Sequence, residues 1–413
     1  MPAFPLWPRR VRFPASRPVL PSFTDPRFAF LLAGQAVNSI GSWASAIALW
    51  GFAAYRFDAS PVAVSVTIVC WAAPSAVLSP LLGVYVDRLG PKRALVAGYL
   101  AAAGASLGLA LAAGSLATLD VLAVAYGTTR ALTGPAASAL PPRVVAPGDL
   151  LAANSLLGGA ATAGQVVGPL AASTALAVSG FGAAFVVDAV TYLIGAAVVA
   201  PLPLRHELGP AATSRGSWST ELIDGLAAVA RDRALRLVVR VSAGIALTSG
   251  AYLVVEPLYA RQVLHRPPSQ FALFEAAAGA GSILASLALP RLRDRLGGQA
   301  LAASAVGYGL AACMFTGTVW VPVAYAGAAA WGIAGAVFGT VAVTSLQRLA
   351  PAGMHGRVMG VAATVQSAAD TIGLPLAGAV VAVLGVRGGA VALAAVAVAA
   401  GASVAATPPR PSP

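Results

Sequence analysis

Long apolar stretches, each about as long as a membrane-spanning helix, follow one another along almost the whole chain. A helix that crosses the hydrocarbon core of a bilayer needs about 20 mainly apolar residues, and about twelve such stretches lie between the polar breaks. Charged residues make up only 10% of the chain, whereas soluble globular proteins carry about 25%. The sequence therefore predicts an all-α membrane protein that has the lipid bilayer as a partner.

The predicted spans fall into two groups of six. The first group lies at 28–54, 61–86, 94–114, 118–138, 151–178 and 182–204, and the second at 237–259, 270–290, 300–318, 321–345, 358–384 and 388–406. The expected domains are a basic, proline-rich tail (1–27), an N-terminal six-helix bundle (28–204), a linker (205–236), a C-terminal six-helix bundle (237–406) and a short tail (407–413). Within the linker, Thr220 to Arg236 is predicted to form an amphipathic helix that lies on the membrane surface, with Leu226 and Val229 on its apolar face.

Lysine and arginine are distributed unevenly over the two sides of this topology. One side carries 21 of the 26 basic residues and the other carries 4, and Arg130 alone lies within a helix. Because cytoplasmic loops of membrane proteins carry the excess of basic residues, both termini are expected in the cytoplasm of a multi-pass plasma (inner) membrane protein. The same loops account for the formal net charge of +12, so no nucleic-acid partner is expected.

Two short motifs recur at a nearly constant offset. Asp87 to Gly90 reappears as Asp294 to Gly297, 207 positions later, and Pro169 to Ala171 reappears as Pro375 to Ala377, 206 positions later. Both pairs occupy corresponding places in the two groups of predicted helices. The repeat indicates a duplicated six-helix unit, and such repeats typically enclose a substrate path near the middle of the membrane.

The loop after the second predicted helix resembles the signature loop of the major facilitator superfamily. The matching residues are Gly83, Asp87, Arg88, Gly90, Lys92 and Arg93, and the repeat copy contributes Asp294 and Arg295. The resemblance extends from about Phe28 to Thr407. It implies the major facilitator fold, with twelve transmembrane helices in two pseudo-symmetric six-helix bundles. In that fold the loop would act as a gating latch that opens and closes during transport.

The fifth predicted helix resembles the antiporter motif of exporting branches of this family. Gly164, Gly168 and Pro169 match the motif, whereas Ala172 and Ser173 stand where the family usually has two glycines. A general glycine-lined packing face is the alternative interpretation.

Two weaker resemblances point to a drug:proton antiporter. Arg130 to Gly134 is similar to the arginine motif that the family links to proton coupling, with Thr133 in place of a glutamine. Asp188 with Tyr192 looks like the branch that contains macrolide-efflux and enterobactin-exporter proteins.

Ionisable residues within the predicted spans are the candidates for proton coupling. A charged side chain at the bilayer centre costs at least about 2.5 kcal/mol, so each one needs a partner or a function. The candidates are Asp188, Arg130, Asp370 and Glu256. A structural hydrogen bond or ion pair is the alternative for Asp188, and Glu256 could reach water near the outer end of its helix.

Polar and aromatic residues in the predicted spans are candidates for the substrate path. They are Gln35, Asn38, Trp43, Gln165, Tyr252 and Gln366. Gln35, Asn38 and Ser39 are expected on one face of the first helix. Polar groups in lipid must face protein or a cavity, and hydrogen bonding between helices is an equally good explanation for them.

No sequence pattern indicates an enzyme, a metal site or a cofactor. There is no nucleotide-binding glycine loop, and His206, His265 and His355 fall in loops without nucleophile or metal-ligand spacing. The favoured function is proton-coupled efflux of a small amphipathic compound (drug, macrolide-like or siderophore-like) by a monomer that uses alternating access. A lipid or lipid-intermediate flippase of the same fold, or a non-transporting membrane sensor, remains the alternative.

Overall fold

The protein is described by a computed structural model that covers residues 25–111, 114–146, 149–204, 218–292, 298–351 and 354–405. These residues are helical throughout apart from short connections, and they contain no β-strand, which confirms the predicted fold class. The N-terminal helices are α1 (Pro26–Arg56), α2 (Pro61–Leu89), α3 (Pro91–Leu111), α4 (Leu116–Ser138), α5 (Pro141–Val144), α6 (Leu150–Ser179) and α7 (Phe181–Val199). They are followed by α8 (Trp218–Arg231), α9 (Arg233–Gln262), α10 (Pro268–Leu292), α11 (Gly298–Gly317), α12 (Val321–Leu349) and α13 (His355–Ala405).

Prolines and capping side chains fix where several helices begin. The Asp25 carboxylate accepts a hydrogen bond from the Arg27 amide at 3.0 Å, and the Ser60 hydroxyl accepts one from the Ala63 amide at 3.3 Å. Proline follows each cap, because the first helical position needs no amide donor and suits the fixed φ of proline. The helices therefore begin where the local sequence favours a helix start.

Nine helices among the described residues are long and apolar enough to cross a membrane. One of them, α13, has 51 residues and is interrupted by the non-helical Gly385 (φ 71°, ψ 171°), so it is long enough for two crossings. Helices α1 and α4 have 31 and 23 residues, but their polar side chains, such as Gln35 and Arg130, lower their hydropathy. The predicted twelve spans are consistent with these lengths.

The chain divides into two compact units, and each has its own core. The N-terminal unit contains α1 to α7 together with His265–Ala276, and the C-terminal unit contains α8, α9 and the chain from Ala277 onward. In the first unit α1 packs on α6 and α7, and α3 packs on α4 and α7. In the second unit α9 and α11 both pack on α13.

The linker helix α8 is shorter than the sequence predicts. It ends at Arg231, and the Asp232 carboxylate then caps α9 by accepting hydrogen bonds from the amides of Ala234 and Leu235 at 2.7 and 3.1 Å. Arg233 therefore begins α9 and does not extend the linker helix. The predicted apolar face is also divided, because Val229 is buried in the C-terminal core whereas Leu226 is exposed.

Candidate functional site

A buried carboxylate stands at the centre of a polar network in the N-terminal unit. Asp188 on α7 has no exposed surface, and its Oδ2 atom accepts hydrogen bonds from the Ser106 hydroxyl on α3 at 2.6 Å and from the Tyr126 hydroxyl on α4 at 2.9 Å. The other oxygen, Oδ1, has no donor in hydrogen-bonding geometry within the described residues. The Ser45 hydroxyl on α1 lies beside this carboxyl group, and it too has no hydrogen-bond partner there.

The network continues through tyrosine hydroxyls to α1. The Tyr192 hydroxyl lies 3.5 Å from the Tyr126 hydroxyl and accepts a hydrogen bond from Ser42 at 3.2 Å. We call Asp188, Ser106, Tyr126, Tyr192, Ser42 and Ser45 the Asp188 cluster. Because its members come from α1, α3, α4 and α7, the cluster joins four helices through polar side chains.

One face of α1 is polar along its length. Gln35, Asn38, Ser42 and Ser45 follow a spacing of three and four residues, which places them on one side of a helix. Gln35 Oε1 accepts a hydrogen bond from the Tyr99 hydroxyl at 2.7 Å, whereas Asn38 Oδ1 is buried without a hydrogen-bond partner in the described part of the chain. Ser39 faces α6 instead, where it bonds the Ala161 carbonyl at 3.4 Å. Ser39, four residues after Gln35, lies at the edge of this face that is directed at α6.

Arg130 lies on α4, one turn after Tyr126. Its guanidinium carbon stands 4.5 Å from the ring centroid of Trp71 on α2, and the side chain is close enough to Asp188 for an electrostatic interaction. Within the residues that the structure describes, Arg130 forms no ion pair. The arginine is thus held by an aromatic ring near the acid rather than by a direct salt bridge.

Three tryptophans form a continuous aromatic series next to this arginine. Trp43 and Trp50 of α1 meet edge to face with centroids 6.3 Å apart, and Trp50 meets Trp71 in the same way at 5.9 Å. The indole Nε1 atoms of Trp50 and Trp71 are buried and have no acceptor among the described residues. The series is therefore an apolar cluster in which Trp43 is partly exposed and Trp50 and Trp71 are buried.

The described candidate residues of the C-terminal unit are buried or partly buried. Glu256 on α9 is only 1% exposed, so the alternative that it reaches water is not supported. Asp370 on α13 is partly buried and packs against α9 at Gly250. Tyr252 is fully buried, and its hydroxyl bonds Thr316 Oγ1 at 3.1 Å and donates to the Ala390 carbonyl at 3.2 Å.

The antiporter-motif glycines bring α6 close to α1. A Cβ atom at Gly168 would lie 2.9 Å from the Ile40 carbonyl oxygen and would overlap Trp43, and one at Gly164 would overlap Ser39. Pro169 follows within α6, and Gln165 is partly buried beside Gly164. Small residues at this spacing allow two helix backbones to approach.

In the C-terminal unit, the close approach of two helices at the corresponding position depends on a small residue from the other helix. Asp370 stands 206 positions after Gly164, the offset of the internal repeat. The facing helix supplies the small residue here, since a Cβ at Gly250 would overlap the Asp370 backbone. Gln366 lies one turn before Asp370 and is partly buried.

The gating-loop residues lie where α2 ends and α3 begins. Gly90 ends α2 with φ 82° and donates its amide to the Val86 carbonyl at 3.0 Å, a conformation that favours glycine. Lys92 Nζ donates to the Leu202 carbonyl at 3.1 Å. Arg88 and Arg93 are exposed, and nothing lies within 4 Å of a Cβ built on Gly83. The Asp87 side chain, Asp294 and Arg295 lie outside the described residues.

Sequence reasoning missed several members of the Asp188 cluster. Ser42, Ser45, Ser106 and Tyr126 stand in apolar surroundings along the chain, so each one alone resembles a packing residue. An unsatisfied polar group in lipid is energetically costly. This cost predicts that Asp188 has hydrogen-bond donors on neighbouring helices. The sequence does not say which ones.

The fold and this site define a helical, multi-pass membrane protein with an ionisable network buried inside one bundle. The model of the Major Facilitator Superfamily matches residues 31–370, and the chain belongs to that superfamily. Members of that superfamily are in general secondary transporters of small molecules.

Similar proteins agree with this assignment at the level of the fold. A segment of 62 residues is 37% identical to the uncharacterized MFS-type transporter YfiS of Bacillus subtilis (strain 168), and the match spans only 15% of that relative's length. The structure of the nucleoside transporter NupG superposes with a TM-score of 0.76 at 13% identity over 92% of this chain and 98% of that one. A bacterial homolog of the human lysosomal transporter Spinster, in an inward-facing and unoccupied conformation, superposes with a TM-score of 0.71 at 14% identity over 92% and 97%.

Proposed function

We propose that this protein exports a small amphipathic compound in exchange for protons, and that Asp188 carries the proton. The observation that supports this most strongly is the unequal bonding of a fully buried carboxylate, which has two hydroxyl donors on Oδ2 and none on Oδ1. A buried carboxylate without a direct ion pair is costly. A proton on Oδ1 would remove that charge. The resulting O–H group could donate a hydrogen bond to the Ser45 hydroxyl oxygen, which otherwise lacks a partner among the described residues.

Arg130 would sense whether Asp188 holds this proton. An ionised Asp188 attracts the guanidinium, whereas a protonated Asp188 leaves it on the ring of Trp71, where it is seen 4.5 Å from the centroid. Proton release would thus favour a different position of α4, which carries Arg130. A ligand shifts a conformational equilibrium only through such differential contacts.

The tryptophan series suits the proposed substrate. Trp43 is partly exposed and would supply apolar surface to the substrate, whereas Trp50 and Trp71 are buried. The indole N–H groups of Trp50 and Trp71 and Asn38 Oδ1 are buried without a hydrogen-bond partner among the described residues, so they would reach a substrate only if the helices part. A mostly apolar surface with a few polar groups is typical of sites for small molecules. Gln35, Gln165, Tyr252 and Gln366 are the further proposed path residues, with Asp370 and Glu256 as secondary coupling candidates.

The remaining expectations join this proposal. Both termini would lie in the cytoplasm, and the transporter would work as a monomer in the plasma (inner) membrane. The loop at Gly83 to Arg93 and its repeat copy at Asp294 and Arg295 would form a cytoplasmic gating latch. Gly164, Gly168 and Pro169 would let α6 move as a close-packed partner of α1.

Cellular accumulation of defined compounds tests the proposal. Cells with and without the protein are loaded with Hoechst 33342, erythromycin or enterobactin, in the presence and absence of a protonophore. We expect lower accumulation of at least one compound, and we expect a protonophore to abolish the difference. Movement of a headgroup-labelled phospholipid without export of any compound would instead identify a flippase.

Matched substitutions assign the coupling residue. Asp188→Asn should abolish protonophore-sensitive export. Asp120→Asn is the control, because Asp120 is another acid of the N-terminal unit whose carboxylate accepts a hydrogen bond from Thr67 at 2.6 Å, outside the Asp188 cluster. If substitutions of Asp188, Arg130 and Asp370 all leave export unchanged, the assignment of coupling residues is wrong.

A further inference from the structure

Three arginines lie on one face at the start of α9. Arg233, Arg236 and Arg240 follow a helical spacing of three and four residues, and all three are exposed. Together with Leu237 they line a cleft of about 190 Å³, which we call the arginine cleft. None of the residues that line it is acidic, so the cleft suits an anion.

The length of α9 places these arginines at the edge of the membrane. The helix has 30 residues, and about 20 residues suffice to cross the hydrocarbon core at a rise of about 1.5 Å per residue. If the crossing ends at Gln262, it begins near Ala243, and Arg240 then lies about 5 Å outside the hydrocarbon. Arg236 lies about one turn further out, which is the depth of the phospholipid headgroups.

Helix α8 presents an exposed apolar stripe next to the arginine cleft. Ile223 and Leu226 are 63% and 47% exposed, and exposed Ala230 continues the same face one turn later. A hydrogen bond from Arg236 Nη1 to the Ala230 carbonyl joins the stripe to the cleft. An apolar stripe beside basic residues is the pattern of a helix that lies in the membrane interface.

The opposite face of α8 is fixed to the C-terminal core, so the stripe cannot turn inward. Asp224 forms an ion pair with Arg357 of α13 at 3.0 Å. A Cβ at Gly225 would lie 2.8 Å from the Arg357 carbonyl oxygen, so α8 and α13 are in close contact there. The stripe therefore stays exposed, and an apolar partner that covers it would remove its side chains from water.

We propose that the arginine cleft binds the phosphate of an anionic phospholipid, with the apolar stripe of α8 against the upper part of the acyl chains. Guanidinium groups match phosphate oxygens with paired hydrogen bonds. The arginine cleft lies at the depth of the headgroups, is positively charged and adjoins an apolar stripe. These three properties together favour a lipid headgroup over a soluble anion. The bound lipid would fix the start of α9 relative to the membrane surface.

Lipid binding to the purified full chain tests this site. The protein in detergent is titrated with phosphatidylglycerol or phosphatidylcholine, and bound lipid is counted by native mass spectrometry. We expect tighter binding of phosphatidylglycerol. Arg233→Gln with Arg240→Gln should weaken that binding about 25-fold, because each basic residue near an anionic surface contributes about fivefold. Arg56→Gln with Arg266→Gln removes the same charge from exposed positions elsewhere and should leave binding unchanged.

Three results would overturn the proposal. The first is equal binding of phosphatidylglycerol by the wild type and by the Arg233/Arg240 variant, and the second is equal binding of the two lipids by the wild type. The third is displacement of phosphatidylglycerol by an equal concentration of inorganic phosphate, which would make the cleft a site for free anions. Ile223→Ser gives an independent check, since it leaves the arginines in place and should still weaken lipid binding.

Discussion

Removal of the Ser106 hydroxyl should make the transporter hold its proton more tightly. Ser106 donates to Asp188 Oδ2 at 2.6 Å in a site without solvent exposure. A hydroxyl that donates to a carboxylate stabilises the ionised form, and hydrogen bonds to charged groups contribute about 1.5–3 kcal/mol. Since about 1.36 kcal/mol corresponds to a factor of ten, Ser106→Ala should strengthen proton binding by at least about tenfold.

Purified protein in liposomes provides the assay. Export of a compound identified in cells is driven by an imposed pH gradient, and the rate is measured as the pH on the proton-loading side is varied. For Ser106→Ala, the proton concentration that gives the half-maximal rate should fall by about tenfold or more. The maximal rate should also fall if proton release becomes limiting.

Ser42→Ala is the matched control for this experiment. Ser42 belongs to the same cluster, but its hydroxyl donates to Tyr192 at 3.2 Å and does not contact the carboxylate. For Ser42→Ala, the proton concentration that gives the half-maximal rate should stay within about twofold of the wild-type value, because the hydrogen bonds to Asp188 Oδ2 remain intact. Equal pH profiles for Ser106→Ala and Ser42→Ala would refute the assigned role of the Ser106 bond.

Three further experiments test the packing of the fold by thermal unfolding in detergent. Gly250→Ala should destabilise the protein by about 1–3 kcal/mol, because the new Cβ would overlap the Asp370 backbone. Gly158→Ala is the control. Nothing lies within 4 Å of a Cβ at Gly158, so this substitution should be neutral or stabilising. Gly385→Ala should cost about 1–3 kcal/mol, since Gly385 has φ 71° and ψ 171°, a conformation that almost only glycine adopts. An unchanged melting temperature would argue against this kink. A double-mutant cycle of Asp224→Asn and Arg357→Gln should give a coupling free energy below about 1 kcal/mol. The two side chains are 46% and 39% exposed, and solvent screens an exposed ion pair.

The fold was predictable because lipid imposes a simple length rule on each helix. The predicted helix ends agree with the structure within a few residues, for example 61–86 against Pro61–Leu89 for α2. The linker helix was the exception, since the sequence gives one basic run from Arg231 to Arg236 and the Asp232 cap that divides it was overlooked. Local capping chemistry, rather than hydropathy, decides that boundary.

The candidate site was predictable only in part. Asp188 and Arg130 could be found from their charge within apolar helices, and the structure places them in one electrostatic network. Ser106 and Ser45 could not be found, because their importance arises from contacts with a residue on α7 that is distant in sequence. The direction of a short polar side chain also depends on helix rotation, which is why Ser39 faces α6 while Ser42 faces Tyr192.

Proton movement during transport tests the central claim most directly. The wild type, Asp188→Asn and Asp120→Asn proteins are placed in liposomes that contain a pH-sensitive dye, and a transported compound is added on one side. The wild type and Asp120→Asn should move protons against the compound, whereas Asp188→Asn should move none. Proton flow that persists in Asp188→Asn, in step with the compound, would contradict the account.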